Sequence, residues 1–285
     1  MSRMTSQNTI QPAQASSDLI SRYKGHEPAW LDKILFSLLF RAKRTRAADP
    51  VKDRELIETV IKLCDKGGMK LPKRIQISET YIPNAAYSPI TNSLTVTSDI
   101  LEALPKNQAE ALIGHELGHY RKRWRDLTAA AIFLVAGNTL FRKAHRYLVD
   151  RTAKWDNLAS KTVRNGPVIL YGSLFFSCIL PFSLYQRFIA EPGADNEAAA
   201  LTSPKAAGDA LEGLRERSRE VWIKKKRGEL PKTPIRDAII TLLHPIPDHP
   251  PMDQRIAKMR RLERREATHT EQLLAETPYL KDRKR

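Results

Sequence analysis

Cysteine is nearly absent from the 285 residues: only Cys64 and Cys178 occur, without the spacing of a metal or redox motif, and the second lies in a strongly apolar run. A disulfide-stapled scaffold is therefore excluded, and a reducing compartment is compatible with the chain. The first 17 residues lack the apolar stretch of a secretory signal, being rich in Ser, Thr, Gln and Asn with Arg3 as the only charge, the composition of a disordered tail. A mitochondrial transit peptide is also acid-poor and Ser-rich, but carries more Arg. No internal repeat is present, nor any zinc-finger, RNP-like or helix-turn-helix pattern. Long apolar stretches are few: Trp30 to Phe40 is 11 residues, short of the roughly 20 that cross a bilayer, and predicts a core or interfacial helix. A mean hydropathy of -0.44 excludes a many-span transporter and leaves room for one or two spans.

What is present in excess is positive charge. Lys and Arg number 48 against 32 Asp and Glu, a formal charge of +16, which implies an anionic partner. Basic clusters fall at 121–125, 142–146, 224–227 and 260–265. Without a nucleic-acid-binding pattern beside them, they predict solvated helix faces and acidic membrane lipids, with no nucleic acid.

The chain divides into a tail (1–25), a first folded part (26–126), an apolar helical pair (127–188), a second folded part (189–267) and a basic C-terminal tail (268–285). Asp49-Pro50 reads as an N-cap and first-turn proline ahead of Leu56, Ile57, Val60, Ile61 and Cys64 at helical spacing, until Gly67-Gly68 stops the pattern. The period then changes to two: Arg74 to Ser78 and Ser93 to Thr97 read as strands around the turn-rich 84–92. Ser98-Asp99 caps a short helix, and Pro105 opens a longer one from Lys106 to about Trp124. Two apolar runs follow, Leu127 to Phe141 and Pro167 to Phe188. Ile169 to Tyr185 carries no charge and is apolar on every helical face, which favours a transmembrane hairpin; a buried hairpin in a soluble domain is the alternative. Loop charges leave its orientation open. In the last helix, from Met252, the residues Ile256, Met259 and Leu262 share one side. The expected fold class is mainly α with a small β-sheet.

The strongest chemical signal is His115-Glu116-Leu117-Gly118-His119 on the helix from Lys106. Residues i and i+4 share a face, so both imidazoles reach one zinc ion while Glu116 faces its water. Catalytic zinc takes three protein ligands and an open position. No third His follows closely, and the best donor is Glu191 in Glu191-Pro192-Gly193-Ala194-Asp195, with Asp195 as acceptor for a ligating imidazole. A plain capped helix start remains the alternative for that segment.

These residues resemble the HtpX-type and CAAX prenyl endopeptidases, gluzincin-like membrane zinc proteases, from about Leu71 to Leu262. Asn84-Ala85-Ala86-Tyr87 resembles the family's Asn-Ala-Phe-Ala strand, and Leu94 to Thr97 with Ile100-Leu101 resembles the lead into the active-site helix. Glu191 to Asp195 is similar to the family's Glu-x-x-x-Asp, and His249-Pro250-Pro251 with Arg255-Ile256 to its late His-Pro motif, for which His244-Pro245 is a competing match. The resemblance implies a single zinc held by His115, His119 and Glu191, with Glu116 as general base, Asp195 as orienter, and His249 and Arg255 near the site to stabilise an oxyanion or anchor the fold. It also implies peptide substrates bound as an added strand along Asn84, Ala85, Ala86 and Tyr87, which selects unfolded segments. Two departures stand out: Pro192-Gly193 interrupts the third-ligand helix, and Pro89 shortens the substrate edge.

The expectation is a zinc metalloendopeptidase acting on unfolded or membrane-associated proteins, in a bacterial inner membrane or alternatively a mitochondrial one. A prenyl-processing role is disfavoured by the small number of spans. Two rival readings are a silent zinc-bound adaptor, which has no use for Glu116, and a soluble protease with an internal helical hairpin.

Overall fold

The structure, a computed structural model, describes residues 20–23, 25–30, 32–34, 43–80, 82–152, 184–229 and 250–276. Strand β1 (Arg44–Ala47) leads to helix α1 (Arg54–Lys66), followed by β2 (Arg74–Glu79), β3 (Ala85–Ser88), β4 (Ser93–Thr97), α2 (Ser98–Ala103) and α3 (Lys106–Thr152). After residues outside the described set, a π-helical turn (Gln186–Ala190) runs into α4 (Glu191–Leu201), then α5 (Pro204–Lys226) and α6 (Met252–Glu276).

The sheet is mixed, in the order β1-β2-β4-β3, with β2 and β4 parallel and both outer pairings antiparallel. Alternation explains it. Ile75, Ile77, Leu94 and Val96 join α1 and α3 in the main core, while Gln76, Ser78, Thr95 and Thr97 are buried as well. Part of the polar side meets the N-terminal segment, where the buried Asp32 accepts from Gln76 Nε2 at 3.0 Å and from Thr91 Oγ1 at 2.9 Å. Within the stretch expected to be a tail, the buried Tyr23 donates its hydroxyl to the Ile75 carbonyl. A smaller core joins Ala198 and Ala199 of α4, Ala207 and Leu211 of α5, and Ile256 and Met259 of α6. Cys64 is free and packed in the main core, where burial pushes its thiol up to about 12.

Several elements depart from expectation. Strand β1 is missing from the period-two pattern, because four residues with two Arg carry little alternation. Helix α1 starts four residues after Pro50: Asp49 Oδ1 accepts from the Val51 and Lys52 amides, closing a turn ahead of the helix. Ser98 is the first helical residue of α2 and Thr97 its N-cap. The largest difference is α3, one helix of 47 residues where a stop near Trp124 was expected. Nothing between Trp124 and Leu127 breaks a helix, since only Arg125 and Asp126 intervene. Among the described residues no helix is long and apolar enough to cross a membrane. The second apolar run, up to residue 183, lies outside them.

One ion pair ties the sheet edge to α1. Arg46 forks onto Asp53, with Nη2 donating to Oδ1 at 3.0 Å, and the Asp49 amide donates to Asp53 Oδ2 at 2.6 Å. Burial raises the Asp53 pKa, but these donors more than offset it and leave the carboxyl below its ordinary range. A depressed carboxyl stabilises the fold above its unfolded-state pKa, and the contribution fades as pH falls through the folded-state value. Wild type should therefore exceed Asp53→Asn by about 1–2 kcal/mol in urea unfolding at pH 7, with the gap closing below about pH 4. A gap independent of pH refutes the assignment.

Candidate metal centre

Helix α3 brings His115 and His119 to one face, their rings edge to face with centroids 5.0 Å apart. Glu191, the first residue of α4, lies across from both: His115 Nε2 is 3.3 Å from its Oε2 and His119 Nε2 is 3.2 Å from its Oε1. One ligand atom from each of the three lies within 4.8 Å of the others. Two imidazoles and one carboxylate are the donor set of a catalytic zinc site, so the chemistry of the residues fits that ion.

The surrounding charge fits a cation as well. Asp195 Oδ1 is 3.0 Å from His115 Nδ1, and Asp126 Oδ2 is 3.9 Å from His119 Nδ1. Burial pulls both imidazoles down, yet the carboxylates win: Asp195 and Glu191 raise His115, and Asp126 and Glu191 push His119 up to about 10. Arg255, from α6, forks onto Asp195 at 3.0 and 2.6 Å and reaches Glu191 Oε2 at 3.5 Å. Burial raises Asp195, but His115 and Arg255 hold it well below the usual carboxylate range.

The entry of α4 is clamped from two sides. Lys122 Nζ donates to the Gly193 carbonyl at 2.8 Å and Lys258 Nζ to the Pro192 carbonyl at 2.9 Å. Close approach is made possible by Gly118, at which a Cβ would stand 2.8 Å from Ala194 Cα and 3.1 Å from the Ala194 carbonyl. Backbone cannot yield as a side-chain tip can. Gly118→Ala should therefore cost about 1–3 kcal/mol through overpacking, despite the helix-propensity gain. At Gly114 the nearest backbone atom lies 3.5 Å away, an ordinary contact. Gly114→Ala should be neutral or stabilising, and thermal melts of the two variants check the contrast.

Glu116 points into a cleft of about 600 Å³ that the three candidate ligands also line. The Tyr87 amide of β3 donates to Glu116 Oε2 at 2.8 Å. Strand β3 runs along the same cleft, paired with β4 alone among the described residues. Asn92, at φ 52° in the loop between them, accepts from the Tyr87 hydroxyl, a conformation that Asn tolerates better than most residues.

A family model described as "Peptidase family M48" matches residues 50–263. The chain belongs to peptidase family M48. Among curated relatives, the "Protease HtpX" of Hydrogenovibrio crunogenus is 28% identical over 233 residues, covering 76% of this chain and 72% of that protein. A "Protease HtpX homolog" of Aeropyrum pernix is 30% identical over 185 residues, covering 58% of this chain and 53% of that one. Among solved structures, the Ste24p of S. mikatae aligns over 80% of this chain and 54% of its own, at 16% identity and a TM-score of 0.45. The family and its named relatives make this chain a metalloprotease.

In this M48 chain, the buried His115, Glu191, Asp195 and Arg255 and the partly buried His119 meet in one cluster. Glu116 and Asn84 to Tyr87 line the cleft beside it. His249 and its competitor His244 lie outside the described residues. The expected interruption does not occur: α4 runs unbroken from Glu191 through Pro192-Gly193 and Asp195, because a proline in the first turn costs no helical hydrogen bond, and β3 ends at Ser88, immediately before Pro89. Sequence reasoning missed Asp126, Lys122, Lys258 and Tyr185. For Asp126 a signal existed, because it follows His119 by two helical turns and shares its face once the helix continues.

Proposed function

We propose that this M48 chain is a zinc-dependent endopeptidase that cleaves unfolded or membrane-associated polypeptides. The convergence of His115, His119 and Glu191 beside Glu116 in one cleft carries the reading. His115 and His119, through their Nε2 atoms, and the Glu191 carboxylate would hold the metal. When bound there, zinc polarises the scissile carbonyl and lowers the pKa of water toward about 7. Glu116 takes the proton of the attacking water and delivers it to the leaving amine. The Tyr87 amide orients the Glu116 carboxylate before reaction.

Asp195 accepts from His115 Nδ1 and so directs its Nε2 to the ligand side. Arg255 is a positioning residue in this reading: its nitrogens are committed to Asp195 and Glu191, which favours anchoring of the ligand set over contact with an oxyanion. The edge of β3 supports substrate binding as an added strand, with main-chain hydrogen bonds selecting extended, unfolded segments. Exposed Trp124, Ile132 and Val135 on α3, with Arg121 and Arg125 nearby, support apposition to an acidic membrane leaflet.

The test is metal analysis coupled to cleavage of an unfolded protein such as casein. We expect about one zinc per chain, activity lost on chelation and restored by zinc, and a zinc affinity for Glu191→Gln reduced beyond the ~10–100-fold that changes outside the ligand set cause. Undiminished zinc binding by Glu191→Gln overturns the reading.

A further inference from the structure

Each imidazole of the site has a carboxylate behind it, and the two come from different places. Asp195 serves His115 from α4. Behind His119 stands Asp126, 8% exposed and seven residues further along the same helix. The Tyr185 hydroxyl donates to Asp126 Oδ1 at 2.6 Å, leaving Oδ2 facing His119 Nδ1 at 3.9 Å. Arg125 completes the group, with Nε donating to the Tyr185 hydroxyl at 3.1 Å and Nη2 3.6 Å from Asp126 Oδ1.

Burying a carboxylate on a cleft wall is costly unless its oxygens are engaged, and here one oxygen is pinned so that the other is aimed. Rotation of the His119 ring, or a bridging water, closes the ~1 Å between 3.9 Å and hydrogen-bond length. Tyr185 lies just ahead of the turn that leads into Glu191. Its bond to Asp126 therefore ties the approach to the third ligand to the helix carrying the first two.

Resting on the zinc reading above, we propose that Asp126, held by Tyr185, is the positioning residue of His119, accepting from Nδ1–H so that Nε2 stays unprotonated and directed at the metal position it shares with Glu191. The arrangement is a paired one, in which Asp195 and Asp126 each fix one imidazole. Histidine ligands commonly have such an acceptor, and removing one costs ~10–100-fold in metal affinity.

The test is zinc affinity of the purified, folded chain, measured by chelator competition for wild type, Asp126→Asn, Asp126→Glu, Tyr185→Phe and Asp195→Asn, with the thermal midpoint of each zinc-free form. We expect Asp126→Asn to lose ~10–100-fold in affinity, comparable with Asp195→Asn. Tyr185→Phe should lose less, and Asp126→Glu should recover part of the loss. A purely structural strut lowers the midpoint and leaves affinity unchanged. Affinities of Asp126→Asn and Tyr185→Phe within twofold of wild type, while Asp195→Asn still loses zinc, overturn this proposal and leave the peptidase reading standing. Wild type that binds no zinc overturns both. Should Asp126→Asn fail to fold, Tyr185→Phe and Asp126→Glu decide, and unchanged affinity in both overturns the proposal.

Discussion

Glu116→Gln should leave a folded chain that keeps one zinc and loses peptide cleavage by about 10²–10⁴-fold, the contribution of a positioned general base. Gln is close in shape and still accepts from the Tyr87 amide, which in wild type donates to Glu116 Oε2 at 2.8 Å. What disappears is the ability to take a proton from water. Glu116 makes no ion pair with His115 or His119, whose carboxylate neighbours are Glu191, Asp195 and Asp126, so metal content should be preserved. Cleavage of unfolded casein, read beside zinc per chain in the same preparation, checks both halves. Activity comparable with wild type removes Glu116 from the chemistry, whereas a variant that has lost its zinc makes the residue part of the ligand set.

Arg255→Met should destabilise the zinc-free chain by about 3–5 kcal/mol in urea unfolding, because removing one member of a buried ionic cluster leaves the others uncompensated. Arg255 is buried, forks onto Asp195 and stands 3.5 Å from Glu191. Without it two buried carboxylates face the imidazoles alone. Arg255→Lys keeps the charge but loses the two-pronged geometry and should fall between Met and wild type. Saturating zinc binds only the folded state and should recover part of the loss. A Met variant within about 1 kcal/mol of wild type refutes the anchoring role.

Much of the architecture was legible in local pattern. The period-two residues of β2 and β4 occupy the centre of the sheet, and the apolar positions of α1 and α6 are the ones that pack. Boundaries were less legible. Strand β1 has four residues, and its partner sits some thirty residues downstream, in β2, beyond any local periodicity. The continuation of α3 through Asp126 depends on no stop signal but the absence of one, and with it went the signal for the carboxylate behind His119. Tyr185, Lys122 and Lys258 left no trace in the sequence because each acts through a contact more than fifty residues away.

On its own, the order of residues determined the pairing of His115 with His119 and the place of Glu116 beside them, because 3.6 residues per turn put i and i+4 on one face wherever the helix lies. Glu191 could be named in the sequence as the best third donor, but only tertiary structure brings its carboxylate against both imidazoles. Glu191 sits 72 residues beyond His119 on another helix, and its position rests on the close approach of α4 to Gly118, on Lys122 and Lys258 holding the turn, and on Arg255 joining α6 to Asp195. Such contacts join segments distant along the chain, so they exist only after packing has overcome the entropy of bringing those segments together.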